Sequence, residues 1–247
     1  MDRRQNMETQ LVFKRYEIKY LLSRRQKEKV MAAMSGHMEP DRYGRSTIRN
    51  IYYDTDTYRL ARRSLEKPVY KEKLRVRSYA SAGPGDPVYV ELKKKYEEVV
   101  YKRRTQMTQE QADLCLTGRR IMPENGQITE EIRYFLQFYE SLAPRVFLSY
   151  EREAWYARES EGFRVTFDEN ILWRDTDLSL GCGVYGTGIL PPGHALMEIK
   201  TPGSIPLWMV KALSEEAIRK VSFSKYGRAY QDMYSLWQQE GKNAVGF

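Results

Sequence analysis

The segment Val69-Tyr70-Lys71-Glu72-Lys73-Leu74-Arg75-Val76-Arg77-Ser78-Tyr79 decides how this chain is expected to fold. Successive residues of a β-strand point to opposite faces of a sheet. A strand over 69–79 therefore has an apolar face with Leu74 and Val76, and a face of cations: Lys71, Lys73, Arg75 and Arg77. Thr, Ser and Gln, which are common on wet strand faces, are scarce on this one. The charged face is therefore a candidate binding surface.

The same alternation recurs along most of the chain. Three segments repeat a Glu-apolar-Lys pattern, at Glu17-Ile18-Lys19, Glu91-Leu92-Lys93 and Glu198-Ile199-Lys200. Residues two apart on a strand lie roughly 6.5 Å apart, so each pattern directs a carboxylate and an ammonium into the same space. Short turn-rich stretches join several segments, which indicates antiparallel pairing. The predicted strands are 11–21, 46–54, 69–79, 88–96, 98–107, 145–157, 162–172 and 194–201.

Helices are predicted between these strands, with apolar stripes that would cover the apolar strand faces. Ser, Thr and Pro at their starts suit helix N-termini. A Gly-rich connection over 175–193 is expected to be a surface loop. The predicted helices are 24–35, capped by Ser23; 109–117, capped by Thr108; one capped by Thr129 and reaching about 142; one opened by Pro206 and reaching about 220; and 225–239.

Composition and charge narrow the class of protein. The 247 residues carry 41 Lys and Arg against 33 Asp and Glu, a net charge of +8. Residues 1–105 hold 26 basic and 14 acidic residues, so the positive charge lies in the first half, as suits a protein that meets a polyanion. Two cysteines and two histidines exclude Cys-rich zinc sites and multi-His centres. Without an apolar run of roughly 18 residues or an apolar N-terminal signal, the protein is expected to be cytoplasmic.

Together these patterns predict an α+β fold: an antiparallel eight-stranded β-barrel with helices packed outside and the charged faces turned inward. Such a barrel is just wide enough for side chains or one slim ligand. Many charged side chains cannot be buried there without water or a counter-charge. The interior is therefore expected to be a water-filled tunnel that holds a strongly anionic ligand. Lys and Arg suit phosphate oxygens, and the carboxylates suit a divalent cation. Phosphoryl transfer needs little from a protein beyond such cations and a bound divalent metal ion, which position the phosphates and neutralise their charge.

An ordered set of motifs resembles a known family. The motifs are Lys19-Tyr20, Lys73-Leu74-Arg75-Val76-Arg77, Val90-Glu91-Leu92-Lys93, Tyr150-Glu151-Arg152, Phe163-Arg164-Val165-Thr166-Phe167-Asp168, Met197-Glu198-Ile199-Lys200 and Ser224-Lys225-Tyr226. In this order they resemble the VTC-type polyphosphate polymerase domain of the triphosphate tunnel metalloenzyme superfamily. The resemblance covers roughly 11–232. It leaves 1–10 as an N-terminal extension and 233–247 as the end of the last helix and a tail.

The resemblance implies an enzyme that transfers the terminal phosphoryl group of ATP to a growing polyphosphate chain, with Mn²⁺ or Mg²⁺ as cofactor. It implies Glu198 as the metal-binding carboxylate, hydroxyl contacts from Tyr150 and Ser224, and further substrate contacts from Lys102 and Arg103. ATP and polyphosphate would be its partners, no nucleic acid is expected, and any membrane association would come through a separate partner. The implied phosphate ligands are Lys19, Arg75, Arg77, Lys93, Arg152, Arg164, Lys200 and Lys225.

One position departs from the related triphosphatases, whose first strand carries Glu-x-Glu-x-Lys. This chain has Arg15-Tyr16-Glu17-Ile18-Lys19 there. Losing the first carboxylate removes one metal ligand, which favours the polymerase branch over hydrolysis. Two alternatives stay open at this point: a triphosphate or nucleoside-triphosphate hydrolase of the same fold, and a non-catalytic polyphosphate-binding module.

Overall fold

The computed structural model describes residues 16–244 apart from 67, 98, 124, 125 and 161. Arg15 and the predicted extension 1–10 lie outside the described residues. The elements are, in chain order, β1 (Tyr16–Leu22), α1 (Arg24–Met34), β2 (Met38–Pro40), β3 (Ser46–Asp54), α2 (Arg59–Leu65), β4 (Tyr70–Ser78), β5 (Pro87–Tyr96), β6 (Val99–Thr108), α3 (Gln109–Leu116), α4 (Gln127–Tyr139), β7 (Ala143–Ala157), β8 (Arg164–Arg174), β9 (Thr187–Gly188), β10 (Ala195–Thr201), α5 (Leu207–Glu215) and α6 (Lys225–Ala244).

The strands of the described chain form one antiparallel sheet in the order β1-β10-β8-β7-β3-β4-β5-β6, with β2 on β7 and β9 on β8. Each predicted strand has a counterpart, and the α+β class is confirmed. Within the described residues no backbone ladder joins the edge strands β1 and β6, so the predicted barrel is seen as a curled sheet. The curl is strong, because Lys93 of β5 lies 2.7 Å from Glu17 of β1.

Helices cover the apolar faces of the strands, as predicted. Leu74 and Val76 of β4 are fully buried in a cluster with Cys115 of α3 and Phe135 of α4. The cationic residues of β4 alternate with these two, so they point to the other side of the sheet. A second cluster joins the other half of the sheet to α1 and α5, and includes Val165, Ile199, Val30, Met34, Met209 and Leu213.

Helix capping follows the sequence at two helices and differs at a third. Ser23 and Thr108 each form a reciprocal capping box with the Gln three residues later, as predicted for α1 and α3. The prediction that Thr129 caps a helix is wrong, because α4 begins at Gln127 and Thr129 lies in its first turn. The Thr129 hydroxyl donates a hydrogen bond to the Gly126 carbonyl at 2.8 Å. Gly126 has φ +86, which glycine adopts at little cost.

Helix α2 was not predicted, and a buried carboxylate explains why it forms. The two carboxylate oxygens of Asp54, at the end of β3, accept hydrogen bonds from the backbone N–H groups of Leu60 and Ala61, each at 2.9 Å. These bonds satisfy donors that a helix N-terminus otherwise leaves unpaired. The Tyr226 hydroxyl also donates to Asp54 at 2.7 Å, so the same carboxylate ties α2 to α6.

The segment between α5 and α6 brings the start of α6 to the inner face of the sheet. Helix α5 ends at Glu215 rather than near 220, and the chain then turns at Ala217, which has φ +52. Beyond the turn, the Val221 N–H donates to the Lys19 carbonyl at 2.8 Å. Helix α6 therefore begins, at Lys225, beside the inner face of the sheet.

The Gly-rich connection 175–193 is mostly exposed, but Arg174 holds its first part and its middle in place. The Arg174 guanidinium donates to backbone carbonyls of Asp177, Gly183 and Tyr185. Gly186 is required there, since a Cβ would lie 2.3 Å from the carbonyl oxygen of Trp173.

Candidate functional site

Two adjoining cavities occupy the inner side of the sheet. One cavity is lined by Arg75, Arg77 and Arg152 among others, and we call it the arginine cavity. It encloses about 840 Å³ of space, including its open mouth. We call its neighbour, lined by Lys19, Lys71, Lys73, Lys93 and Lys95 among others, the lysine cavity. The two cavities adjoin, because they share six lining residues, and we call them together the joined space. The shared residues are Glu17, Lys19, Lys73, Lys93, Val100 and Ser224.

Most predicted site residues line this joined space. They come from strands far apart in the sequence and from the start of α6, which the curl of the sheet brings together. The predicted residues on its lining are Lys19, Arg75, Arg77, Lys93, Lys102, Tyr150, Arg152, Glu198, Lys200, Ser224 and Lys225.

Arg164 and Arg103 do not line either cavity. Arg164 begins β8, where its guanidinium lies 3.5 Å from the Asp41 carboxylate and 4.7 Å from the centre of the Tyr156 ring. Arg103 lies 3.0 Å from Glu131 of α4, on the side of the sheet that the helices cover. Lys102 and Arg103 are successive residues of β6, so only one of them can face inward.

Three cations of the arginine cavity converge on the buried carboxylate of Glu91. Arg75 lies 2.7 Å from Glu91, Lys102 lies 2.7 Å from it, and Arg77 lies 3.8 Å from it. Burial by itself would raise the pKa of Glu91. Arg75, Arg77 and Lys102 outweigh that effect and hold the pKa well below its usual value. Glu91 therefore stays ionised and keeps this part of the wall in place.

Asp168 organises a second part of the wall in the same way. Arg152 donates two parallel hydrogen bonds to it, from Nε at 2.6 Å and from Nη2 at 2.7 Å. The Lys225 ammonium, in the first turn of α6, lies 2.5 Å from the same carboxylate. Burial would raise the pKa of Asp168, but Arg152 and Lys225 lower it to about 2. Asp168 is completely buried, behind the cations that line the cavity.

Tyr150 lies between these two parts of the wall. Its hydroxyl accepts a hydrogen bond from Arg77 at 2.9 Å, and Arg152 and Lys225 lie 5.0 and 4.7 Å from its ring centre. Burial by itself would raise the pKa of the phenol, but the surrounding cations, Arg152 and Arg77 foremost, lower it to about 8. The hydroxyl is therefore held in a strongly positive environment that favours contact with anionic oxygens.

Three lysines of the cavities, Lys19, Lys73 and Lys102, have pKa values below the usual value of lysine. Burial lowers the pKa of Lys19 to about 8, and it also lowers the pKa of Lys102 to about 8. Burial and neighbouring cations, Lys19 first among them, hold the pKa of Lys73 well below its usual value. The ammonium of Lys73 donates to the Ser224 hydroxyl at 2.8 Å. A bound anion would relieve this electrostatic strain, because it favours the protonated forms.

Glu17 and Glu198 are the carboxylates that line the joined space. They lie on the paired strands β1 and β10, next to Lys200 and Lys19 respectively in the ladder register. Each is balanced by a lysine: Glu198 by Lys200 at 3.1 Å, and Glu17 by Lys93 at 2.7 Å. Burial would raise the pKa of Glu198, but the surrounding lysines hold it well below its usual value.

These two carboxylates fit a divalent cation that arrives with phosphate. In the part of the chain that the structure describes, no three His, Cys, Asp or Glu side chains group to form a metal site. Mg²⁺ is nevertheless commonly held by one or two carboxylates, with substrate phosphates and water as its other ligands. Glu17 and Glu198 meet that requirement, and Glu198 is the residue predicted from the sequence.

Four residues that shape this region have no site role among those predicted from the sequence. Lys73 shares a strand face with Arg75 and Arg77, so the alternation of β4 could have included it. Glu17 belongs to a Glu-apolar-Lys pattern already noted. Glu91 and Asp168 have their partners on other strands and on α6, and no signal along their own strands reveals those pairings.

A curled antiparallel sheet with a cation-lined interior is the architecture of the triphosphate tunnel proteins. A crystal structure named as a "putative adenylate cyclase" of Bacillus halodurans matches with a TM-score of 0.55 at 16% identity, covering 87% of this chain and 95% of that one. One of the same description from Vibrio parahaemolyticus matches with a TM-score of 0.44 at 11% identity, covering 91% and 99%. The Mimivirus capping enzyme triphosphatase gives 0.35 at 7% identity, covering 83% and 87%. At 16% identity the first of these matches supports the fold alone.

The VTC domain model matches residues 14–234. The chain therefore belongs to the VTC domain family, which confirms the resemblance stated from the sequence. No curated protein matches the chain in sequence. Among the helices of the described residues, none combines the length and the apolar character that crossing a bilayer requires.

Proposed function

We propose that this protein is an ATP-dependent polyphosphate polymerase, which transfers the terminal phosphoryl group of ATP to a growing polyphosphate chain inside the joined cavities. The observation that supports this most is the convergence of basic side chains from β1, β4, β5, β6, β7, β10 and α6 on two adjoining cavities. Two adjoining cavities would give a linear polyanion room for donor and acceptor phosphates side by side. Charge neutralisation and positioning are what phosphoryl transfer chiefly requires.

The arginines would hold the phosphoryl group during transfer. Guanidinium groups bind phosphate oxygens bidentately, and those of Arg75 and Arg152 are already fixed by buried carboxylates. Tyr150 would add a hydroxyl contact between them. The lysines of the lysine cavity would bind the rest of the chain as point charges, and Ser224 would contribute its hydroxyl at the boundary between the cavities.

Glu198 and Glu17 would hold the divalent cation, Mn²⁺ or Mg²⁺, which would supply neutralisation of phosphate charge during transfer. Lys200 and Lys93, the lysines that balance these carboxylates, line the same arginine cavity. They would therefore lie beside the phosphate chain as well, and would share its negative charge with the arginines.

The test is an assay for chain growth. Purified protein is incubated with ATP, Mn²⁺ and a short polyphosphate primer, and the products are separated on a gel and quantified by ³¹P NMR. We expect ADP release matched by lengthening of the chain. Release of orthophosphate from ATP or tripolyphosphate without chain growth would instead support a hydrolase. Salt-sensitive polyphosphate binding without ATP turnover would support a binding module.

A matched pair of variants controls this assay. Lys200→Met removes a cation from the arginine cavity and should lower chain growth by about tenfold or more. Lys211→Met removes an exposed cation of α5, which makes a loose 3.8 Å ion pair with Glu215, and it should leave chain growth unchanged.

A further inference from the structure

The carboxylates around the joined cavities fall into two sets with different surroundings. Glu17 and Glu198 line the space, whereas Glu91 and Asp168 lie behind the cations and are 1% and 0% exposed. We propose that Glu91 and Asp168 are positioning residues: they fix the guanidinium groups of the cavity wall in the orientation that phosphate binding uses. This inference rests on the proposed function for its catalytic meaning, but its physical content is the binding of phosphate.

Asp168 fixes the guanidinium of Arg152 through two hydrogen bonds. Its two oxygens each accept one hydrogen bond from Arg152, at 2.6 and 2.7 Å, which sets the plane of the guanidinium. The Tyr150 ring lies 5.0 Å from the same guanidinium. Lys225 completes the cluster, so the first turn of α6 is attached to the wall through the same carboxylate. The side chain of Arg152 is thus immobilised before any ligand arrives.

Glu91 fixes Arg75 in an equivalent manner. One oxygen of Glu91 accepts hydrogen bonds from both Nε and Nη2 of Arg75, at 2.9 and 2.7 Å. The remaining side of the guanidinium donates to the Tyr52 hydroxyl at 2.9 Å, and the Tyr52 ring is stacked on Tyr226 at 4.5 Å. The other oxygen of Glu91 contacts Lys102 at 2.7 Å.

These contacts have opposing effects on phosphate binding, and the opposition makes the proposal testable. A buried carboxylate repels a bound phosphate, so charge alone predicts that its removal tightens binding. A carboxylate that immobilises an arginine saves the ordering of a flexible side chain, so positioning predicts that its removal weakens binding. The sign of the change therefore separates the two roles.

The experiment measures tripolyphosphate binding by calorimetry without metal. We expect Asp168→Asn to weaken binding by roughly fivefold in the wild-type background. In the Arg152→Gln background, Asp168 has no guanidinium left to position, so Asp168→Asn should not weaken binding there. Tighter binding by Asp168→Asn in the wild-type background, or weakening of the same size in both backgrounds, would overturn the proposal. Asp168→Glu, which keeps the charge, should recover part of the loss.

Glu91 provides an independent second cycle, in case Asp168→Asn does not fold as judged by thermal unfolding. Glu91→Gln should weaken tripolyphosphate binding in the wild-type background and not in the Arg75→Gln background. Tighter binding by Glu91→Gln in the wild-type background, or equal weakening in both backgrounds, would overturn the positioning role of Glu91. The chain-growth assay on the unmodified protein is separate: a protein that makes no polyphosphate but obeys these cycles disproves the proposed function and leaves the positioning role standing.

Discussion

The Lys93 ammonium on β5 lies 2.7 Å from the Glu17 carboxylate on β1. These strands are the first and the seventh along the eight-strand path of the sheet, so only strong curvature brings them together. The contact closes the charged side of the sheet around one space. Basic residues that the sequence spreads over more than 200 positions, from Lys19 to Lys225, therefore line the same joined cavities.

Glu198→Gln tests the proposed cation site. The change removes one of two carboxylates that face the joined space, so the Mn²⁺ concentration for half-maximal chain growth should rise at least about tenfold. Tripolyphosphate binding without metal should not weaken, because a negative charge beside the phosphates is lost. The control is Glu28→Gln, which removes an exposed carboxylate of α1 paired with Arg24. An unchanged Mn²⁺ requirement in Glu198→Gln would remove Glu198 from this role.

Lys102 and Arg103 offer a comparison between neighbours on β6. Lys102 lines the arginine cavity, whereas Arg103 is paired with Glu131 of α4 on the opposite side of the sheet. Lys102→Ala should weaken tripolyphosphate binding by about tenfold or more, since a charged phosphate contact is lost. Arg103→Ala should change binding by less than about twofold. Calorimetric titration of both variants checks this, and equal losses would contradict the assignment of the two faces.

Tripolyphosphate binding should take up protons near pH 8.5. Burial lowers the pKa values of Lys19 and Lys102 to about 8, so both are partly neutral there, and a bound anion restores their charge. Affinity should accordingly fall as the pH rises from 7.5 to 9.5. Calorimetry in two buffers of different ionisation enthalpy measures the uptake. Lys102→Met should reduce it and Lys211→Met should not; binding without proton uptake at pH 8.5 would refute the prediction.

The same two lysines affect folding stability in the opposite direction. Their pKa values are lower in the folded protein than in the unfolded chain, where lysine titrates near 10.5. Between about pH 8 and pH 10.5 the unfolded chain therefore binds more protons, and the contribution of Lys19 and Lys102 to the free energy of unfolding rises with pH. In Lys102→Met, denaturant unfolding of the ligand-free protein should show a smaller rise across this interval than the unmodified protein does.

Phe135 and Phe138 of α4 test how the sheet is covered. Phe135 is 3% exposed in the cluster with Leu74, whereas Phe138 is 53% exposed. Phe135→Ala should lower the free energy of unfolding by about 3–5 kcal/mol, because it opens a cavity between helix and sheet. Phe138→Ala should cost less than about 1 kcal/mol. Urea unfolding measures both, and similar losses would show that α4 is packed differently.

Local patterns predicted the strands well, because alternate residues of each strand are apolar where they meet the helices and charged where they face the interior. The face of Arg75 and Arg77 was predictable for this reason, and so was the burial of Leu74 and Val76. Helix α2 was missed because it depends on Asp54, whose carboxylate caps it from the end of the preceding strand. Its seven residues carry too short a pattern to indicate a helix by themselves.

By itself, the sequence determined which side chains are charged, which strand face each one occupies, and hence that the apolar faces need helices to cover them. Only the tertiary structure decided which charges meet: that Arg152 and Lys225 share Asp168, that Arg75 and Lys102 share Glu91, and that Arg164 and Arg103 stay outside the cavities. The physical reason is that alternation acts within one strand, whereas ion pairs form between strands whose neighbours and register depend on how the whole sheet curls.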